Sequence, residues 1–366
     1  MKLRILLWYW GRRGGGAQFT LGLATALAQR EDVAVELSLS AQGELKEQLL
    51  GLGLPTRTIE TYRDMAGFIA ALPRIPRAGS ALLAQARACD IVISTMTHLW
   101  TPFVAPRLAR AGIPFVPVVH DAEPHPGDPA LGWSWRLRRE LGAACAAVAL
   151  SDNVAESLHR RAPSLPLIRT TLPALLIGEA PAPCTSGTGR FLFFGRFRAY
   201  KGLDLLRDAF ALLHQRHPEA TLRVVGEGDA EACAPGLSAL PGVRVEPRWV
   251  PESEIPALLA AADAVVLPYR EASQSGIVPQ ALALGVPIVA TPVGGLTEQL
   301  GNGRGGVAAT DMSAPALAAA MERLLDAAEG ARLRQEAAEA GRSAADWDGT
   351  AEALVAGLRR ALGRAS

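Results

Sequence analysis

The sequence predicts an α/β chain built from two parallel-sheet domains in tandem. Its 366 residues exceed the ~250–300 at which a single hydrophobic core stops growing. Short β-type apolar runs alternate with longer Ala/Leu/Arg runs of helical period, the pattern of strands joined by crossover helices. The alternation breaks once, at Gly178-Glu-Ala-Pro-Ala-Pro-Cys-Thr-Ser-Gly-Thr-Gly189, and then restarts. Prolines, glycines and small polar residues between periodic segments read as an interdomain linker. The expected division is therefore a first domain over 1–180, a second over 189–345, and a last helix over 346–366 that packs back on the first domain.

In the first half the expected strands are Leu3–Tyr9, Val33–Ser38, Asp90–Ser94, Pro114–Val119, Ala147–Leu150 and Leu167–Thr170. Helical patterns fall between them, at Gln18–Arg30, Gly79–Ala88 and Trp133–Ala144. Ile91-Val-Ile93 and Phe115-Val-Pro-Val-Val119 are continuously apolar, as strands covered on both faces must be. After the linker come strand Phe191–Phe194, helix Gly202–Arg216, and strands Thr221–Val225 and Val243–Val245. Helix Glu252–Ala261, strand Ala264–Leu267, helix Gln274–Leu284 and strand Pro287–Ala290 follow. Two or three Ala-rich helices between Ser313 and Leu362 close the chain.

Composition narrows the function. About half the residues are apolar and a fifth charged, as in globular proteins. Lys and Arg total 37 against 36 Asp and Glu, which gives no sign of a nucleic-acid binder. Residues 1–180 carry 19 basic and 15 acidic side chains and the remainder 18 and 21, so the first half is mildly basic. That leaves open an anionic partner or a peripheral membrane contact through the first domain, beside an ordinary solvated surface. Cys89, Cys145, Cys184 and Cys233 are isolated, which suits a reducing cytosol better than a disulfide framework or a zinc site. The apolar start, Met1 to Trp10, carries Arg4 and ends in Gly11-Arg12-Arg13 without a small-residue cleavage site, so it reads as a first strand. No stretch approaches the ~20 apolar residues of a membrane span. A cytoplasmic protein, at most peripheral at the inner membrane face, is expected.

Ligands of open parallel sheets bind outside the carboxyl ends of the strands, so the residues after each strand carry the functional reading. After the first strand, Gly11-Arg-Arg-Gly-Gly-Gly16 opens into a helix. Glycines allow close approach to a ligand, and free N–H groups with the helix dipole favour an anion; a tight turn needing glycine is the equal alternative. Neither a Walker A loop nor a dinucleotide fingerprint is matched. After Val119 comes His120-Asp121-Ala-Glu123-Pro-His125-Pro-Gly-Asp128, a rigid polar loop suited to a site. A plain surface loop is its alternative, and a metal site is less well supported because it needs several ligands on one face, which a proline-interrupted loop does not assure.

In the second half, Gly195-Arg196-Phe-Arg198-Ala-Tyr-Lys201-Gly202 crowds three cations at a helix start. Cations oppose the positive end of the dipole there, so the placement makes sense when an anion such as a diphosphate lies among them. Pro268-Tyr-Arg-Glu271-Ala-Ser273-Gln274-Ser275-Gly276 opens a second helix with N–H groups beside a carboxylate. Thr291-Pro-Val-Gly294-Gly295-Leu-Thr-Glu298 follows the next strand. Together these describe a nucleotide-diphosphate site facing the glycine-rich loop of the first half.

The ordered set resembles glycosyltransferase family 4. Leu192-Phe-Phe-Gly-Arg-Phe-Arg-Ala-Tyr-Lys-Gly-Leu-Asp204 is similar to that family's Gly-Arg…Lys-Gly segment. Val224-Val-Gly-Glu-Gly228, Ile255 through Pro268, and Pro287 through Glu298 resemble the stretches that follow it, and His120-Asp121 resembles the His-Asp that ends a first-domain strand. The resemblance implies two facing Rossmann-like domains of the GT-B architecture with the donor in the cleft between them. It implies a retaining transfer of sugar from a nucleoside-diphosphate sugar to a hydroxyl acceptor, a saccharide or glycolipid, with polysaccharide or glycolipid synthesis as the setting. No cofactor and no metal are implied.

The resemblance also assigns roles. Arg196 and Lys201 would neutralise the donor diphosphate, with Gly195 beside them, and Gly15 and Gly16 would touch it from the other domain. His120 would face the sugar, with Asp121 next to it. Backbone N–H groups around Ser275, Gly276 and Ile277, with Ser273 and Gln274 in the same loop, would hold phosphate and sugar hydroxyls. The family's two glutamates seven residues apart are not kept: the second position holds Gln280, and the first falls on Ala272, one past Glu271. Gln280 is expected to meet the ribose as a weaker ligand, and Glu271 to face solvent unless the loop shifts by a residue. Asp346-Trp-Asp348 reads as a helix start with Asp348 as its cap. An epimerase of the same shape and a non-catalytic sugar-nucleotide-binding protein are the alternative functions.

Overall fold

The computed structural model describes residues 2–124, 132–179, 181–183, 187, 189–300 and 305–364. Cys184, His125 and Asp128, singled out above, lie outside the described residues. The chain divides into two compact units. Of the described residues, 2–124, 132–172 and 347–364 make one unit and those within 173–346 the other.

The first unit is a seven-stranded parallel sheet. Its strands are β1 (Leu3–Tyr9), β2 (Val33–Ser40), β3 (Thr56–Ile59), β4 (Ile91–Ser94), β5 (Phe115–Val119), β6 (Ala147–Ala149) and β7 (Leu167–Arg169). The spatial order is β3-β2-β1-β4-β5-β6-β7. β1 pairs in parallel with β2, Leu3 opposite Val33, and with β4, Trp8 opposite Ser94. Every residue of β4 and β5 is buried, which is why their sequences are apolar without alternation. A core of Trp8, Trp10, Trp100 and Phe115 fills the space between sheet and helices, with Trp8 and Trp10 edge to face at 4.9 Å.

The second unit repeats the plan with β8 (Arg190–Phe194), β9 (Thr221–Gly226), β10 (Val243–Pro247), β11 (Ala264–Leu267), β12 (Ile288–Ala290) and β13 (Gly306–Ala308). The order is β10-β9-β8-β11-β12-β13, all pairs parallel. Phe191, Phe193, Phe210, Tyr269 and the aliphatic side chains around them form one continuous core. In both sheets the strand order reverses beside one strand, β1 with β4 in the first unit and β8 with β11 in the second. A crevice opens at the carboxyl ends at such a switch point, and that is where an open α/β sheet takes its ligand.

Several expectations shift. β3 and β13 were not foreseen, because Thr-Arg-Thr-Ile and Gly-Val-Ala are short edge strands without an apolar run to mark them. The helix expected over Gln274–Leu284 is Ile277–Ala283, since the backbone at Ser275 is bonded elsewhere. Glu252–Ala261 is a 3-10 turn over Glu252–Glu254 followed by helix Ile255–Ala260, whose Pro256 fits a first turn. Asp348 does not cap the last helix, which spans Trp347–Ala361 and holds Asp348 inside its first turn, where its charge meets the dipole. That helix joins the first unit: Trp347 packs on Phe19 at 5.6 Å, and Arg359 pairs with Asp32 at 2.8 Å. Three further cysteines, Cys89, Cys145 and Cys233, are free and partly buried.

Candidate functional site

In the second unit the chain leaves β8 through Gly195, whose φ of 146° suits glycine. The crossing is tight. A Cβ on Gly226, at the end of β9, would sit 1.8 Å from the Gly195 carbonyl oxygen, so a side chain there has no room. Residues 199–201 form one 3-10 turn, and Gly202, with φ of 68°, starts helix Leu203–Arg216. Gly202 also lies against the loop that follows β11, where a Cβ would come within 1.9 Å of the Pro268 carbonyl oxygen. The Arg270 N–H donates to the Tyr200 carbonyl at 2.7 Å, lacing the two loops together. The two loops at the switch point thus form a single piece.

Two cations stand on that piece without a carboxylate. The Lys201 ammonium lies 3.6 Å from the centre of the buried Tyr269 ring and 5.1 Å from that of Tyr200. An aromatic face attracts a cation but does not neutralise it. Neither Lys201 nor the exposed Arg196 has an ion-pair partner among the described residues. Nearby Arg270, by contrast, is paired with Asp204 at 2.6 Å. Positive charge is therefore left uncompensated at the carboxyl end of β8, where an anion would be stabilised.

The loop after β11 is held from below. Thr291 Oγ1 donates to the Tyr269 carbonyl, and the Gly295 N–H donates to the Ala272 carbonyl at 2.9 Å. Gly295 must be glycine, because a Cβ would be 1.8 Å from the Ser273 carbonyl oxygen. Gln299 grips Ser275 at both ends of its backbone: its Oε1 accepts the Ser275 N–H at 2.7 Å, and its Nε2 donates to the Ser275 carbonyl at 3.1 Å. Of the three N–H groups expected to meet a ligand, that of Ser275 is thus spent on Gln299, and those of Gly276 and Ile277 remain as donors. Ser273 and Gln280 are buried, Gln274 is partly buried, and Glu271 is exposed.

In the first unit, Gly14 takes φ of 80° and helix Gly15–Ala28 begins with neither a side-chain cap nor an acidic residue in its first turn. The positive end of its dipole is uncovered. Gly16 is buried against Met96, whose side chain would lie 2.9 Å from a Cβ. Arg12 is turned away to the Arg63 carbonyl. Below the turn, Thr20 Oγ1 donates to the Gly16 carbonyl at 2.7 Å and lies 2.6 Å from Thr95 Oγ1. The Thr95 carbonyl in turn meets His120 Nε2 at 2.9 Å, and Phe19 abuts the imidazole edge to face at 5.5 Å. Burial holds the His120 pKa below the usual histidine value, against the opposing pull of the Thr95 carbonyl and Asp121. The imidazole is therefore neutral, with its Nε2–H given to Thr95.

In the first unit Gly16 and His120 are linked through Thr20 and Thr95, the residue after β4, with Gly15 and Asp121 next to them in the chain. In the second unit Gly195, Arg196 and Lys201 lie in the segment after β8, and Glu271, Ser273, Gln274, Ser275 and Gly276 in the loop after β11, the two strands of the switch point, while Ile277 and Gln280 lie in the helix that follows. Sequence reasoning missed Thr20, Thr95 and Gln299. Thr20 carried one faint signal, its place four residues after Gly16, from which a threonine hydroxyl reaches back to a helix carbonyl. Nothing in the sequence brings Thr95 to Thr20 or Gln299 to Ser275. Among the described residues no three His, Cys, Asp or Glu side chains gather as a metal site would require.

Two Rossmann-like sheets, each with a ligand-facing switch point, are the architecture of GT-B glycosyltransferases. Residues 13–169 match the model of Glycosyltransferase Family 4, and residues 188–327 match that of Glycosyl transferases group 1. The chain belongs to this family of glycosyltransferases. It is 29% identical over 218 residues to glycogen synthase of Mycobacterium tuberculosis, covering 59% of this chain and 52% of the relative. It is 37% identical over 147 residues to D-inositol 3-phosphate glycosyltransferase of Pseudarthrobacter chlorophenolicus, covering 38% and 35%. The chain thus spans about half the length of the first relative and about a third of the second. In fold it is similar to Anabaena HepE in complex with UDP and glucose, with a TM-score of 0.73 at 19% identity, over 97% of this chain and 99% of that one.

Proposed function

We infer that the protein transfers a sugar from a nucleoside-diphosphate sugar to a hydroxyl acceptor with retention of anomeric configuration. The observation that carries this is the pair of uncompensated cations, Arg196 and Lys201, on the two laced loops of the second unit. Breaking the bond between sugar and diphosphate leaves negative charge on the departing phosphate, and fixed cations lower the barrier by meeting that charge as it forms. Arg196 offers a planar fork to phosphate oxygens and Lys201 a point charge seated on Tyr269. The Gly276 and Ile277 N–H groups add donors for phosphate or sugar oxygens. Gln280, at the buried side of the same helix, serves the ribose through its amide, without the charge of a carboxylate.

The first unit supplies the uncapped helix start at Gly15 and Gly16 as a second phosphate contact and the neutral His120 as a sugar contact. The acceptor hydroxyl attacks from the face the diphosphate leaves, and its proton passes to the leaving phosphate oxygen, so no protein carboxylate acts as nucleophile. Side-chain cations stand where a divalent metal would otherwise neutralise the diphosphate, so turnover is expected without one. The acceptor is a saccharide or glycolipid, in polysaccharide or glycolipid synthesis.

The test is a thermal-shift panel of UDP, GDP, ADP and their sugar conjugates, since a ligand of the native state raises its melting temperature. UDP leads the panel because HepE is described with it. The stabilising conjugate is then incubated in EDTA with candidate acceptors, and the anomer of the product is read by NMR. A panel in which no nucleoside diphosphate stabilises the protein overturns the reading. Release of an isomerised sugar nucleotide without acceptor assigns an epimerase instead.

A further inference from the structure

The mild basic excess of the first half is not spread evenly. Three successive crossover helices, Ile75–Ala86, Thr101–Arg110 and Trp133–Leu141, lie side by side in the first unit. Arg107 bonds the Pro76 carbonyl at 2.9 Å and Ser80 Oγ at 3.0 Å, and Arg139 bonds the Pro102 carbonyl at 2.8 Å. With the preceding segment from Met65, these helices carry seven arginines (74, 77, 107, 110, 136, 138 and 139) and no lysine. Their one carboxylate, Glu140, is completely buried. Arg74, Arg77, Arg110, Arg138 and Arg139 are exposed, and within these described segments no carboxylate is; the exposed Asp64 caps the preceding segment and accepts the Gly67 N–H.

The same face exposes large apolar side chains. Phe103 is 42% exposed and Trp135 46% exposed, yet their rings touch at 5.5 Å, and the Arg139 guanidinium lies over Trp135 at 5.4 Å. Helix Trp133–Leu141 buries Leu137, Glu140 and Leu141 and turns Trp135, Arg138 and Arg139 outward. An apolar patch framed by arginines marks an interaction surface rather than a solvated one.

We propose that this helix layer docks on the surface of an anionic phospholipid bilayer, with Phe103 and Trp135 entering the headgroup boundary and the arginines pairing with lipid phosphates. Charge complementarity sets the sign of the partner. The aromatic pair distinguishes a bilayer from a nucleic acid, because amphipathic rings are stabilised at a membrane interface while exposed aliphatic and aromatic groups on a helix gain nothing from a phosphate backbone. No helix among the described residues is long and apolar enough to cross a membrane, so the contact is a surface one. The proposal goes beyond the transferase reading and does not depend on it.

The experiment is co-sedimentation of the full chain with phosphatidylcholine vesicles and with vesicles containing phosphatidylglycerol, with double-stranded DNA as a competitor. Binding is expected to the anionic vesicles and not to phosphatidylcholine alone. Arg110→Gln with Arg138→Gln should lower the partition by roughly 30-fold, at about 1 kcal/mol per arginine. Phe103→Ser with Trp135→Ser should weaken it as well, while Trp135→Phe, which keeps a ring, should bind like the parent. Thermal melts of each variant show whether the fold is kept. Absence of binding to anionic vesicles, equal binding by folded variants, or displacement by DNA overturns the proposal.

Discussion

Thr20 Oγ1 and Thr95 Oγ1 lie 2.6 Å apart, fully buried beneath the glycine turn of the first unit. Thr20 has one hydroxyl proton, and it goes to the Gly16 carbonyl at 2.7 Å, so Thr95 must be the donor to Thr20. The relay ties the start of helix Gly15–Ala28 to the carbonyl that holds His120. Thr20→Val leaves the Thr95 hydroxyl buried without an acceptor and should cost about 1–3 kcal/mol. Urea unfolding measures it; a loss under about 0.5 kcal/mol, the ordinary surface range, shows that the relay holds nothing.

Lys201→Ala should weaken nucleoside-diphosphate binding by roughly 1.5–3 kcal/mol, the range for hydrogen bonds to charged groups. Arg196→Lys should also be costly, because a point charge does not replace a planar fork on phosphate oxygens. Calorimetry showing parental affinity in Lys201→Ala would remove the diphosphate from this loop.

Gln299→Leu removes both hydrogen bonds that grip Ser275. At about 0.5–1.5 kcal/mol for each, stability should fall by about 1–3 kcal/mol. Exchange of the Ser275 amide should quicken, and donor affinity should drop with it. Faster exchange at unchanged donor affinity would mean that this grip serves the fold and not the ligand.

Glu140 gives a pH signature. Burial pushes its carboxyl up to about 7, against the Thr97 hydrogen bond and the Arg136 charge. The folded pKa is raised, so between the ordinary glutamate value of 4.5 and about 7 the folded state holds a proton that the unfolded state has lost. Stability from this group falls with rising pH across that window. His98, pushed down to about 3 by burial with Arg136 adding to the shift, works the other way: its contribution falls as pH drops from 6.5 towards about 3. Glu140→Gln should therefore gain stability over the parent as pH rises from about 4.5 to about 7. Parallel pH profiles of the two proteins would contradict the raised value.

Gly22→Ala tests the join between the last helix and the first unit. A Cβ there would lie 2.2 Å from the Trp347 ring, which must shift to admit it. Overpacking of this kind costs about 1–3 kcal/mol. The loss should shrink when Trp347→Leu is added, because the two side chains contend for one space. Additive losses would place the strain elsewhere.

The sequence by itself determined the two parallel sheets, because strands buried on both faces must be continuously apolar, as Ile91–Ser94 and Phe115–Val119 are. It also determined where to look for the site, since polar and glycine-rich residues follow those strands at Gly11–Gly16, His120 and Gly195–Gly202. It did not show the short edge strands Thr56–Ile59 and Gly306–Ala308, which are held by backbone pairing to a neighbour rather than by an apolar run. Only the tertiary structure decided which groups are already spent. Arg270 is paired with Asp204, Arg12 is drawn to a carbonyl, and the Ser275 N–H belongs to Gln299, whereas Lys201 rests on Tyr269 without a carboxylate. It also turned a weak excess of four charges into one cationic helix layer. The reason is the same in each case: local pattern specifies period and burial, but the partner of a polar or charged group is set by contacts between residues tens to hundreds of positions apart.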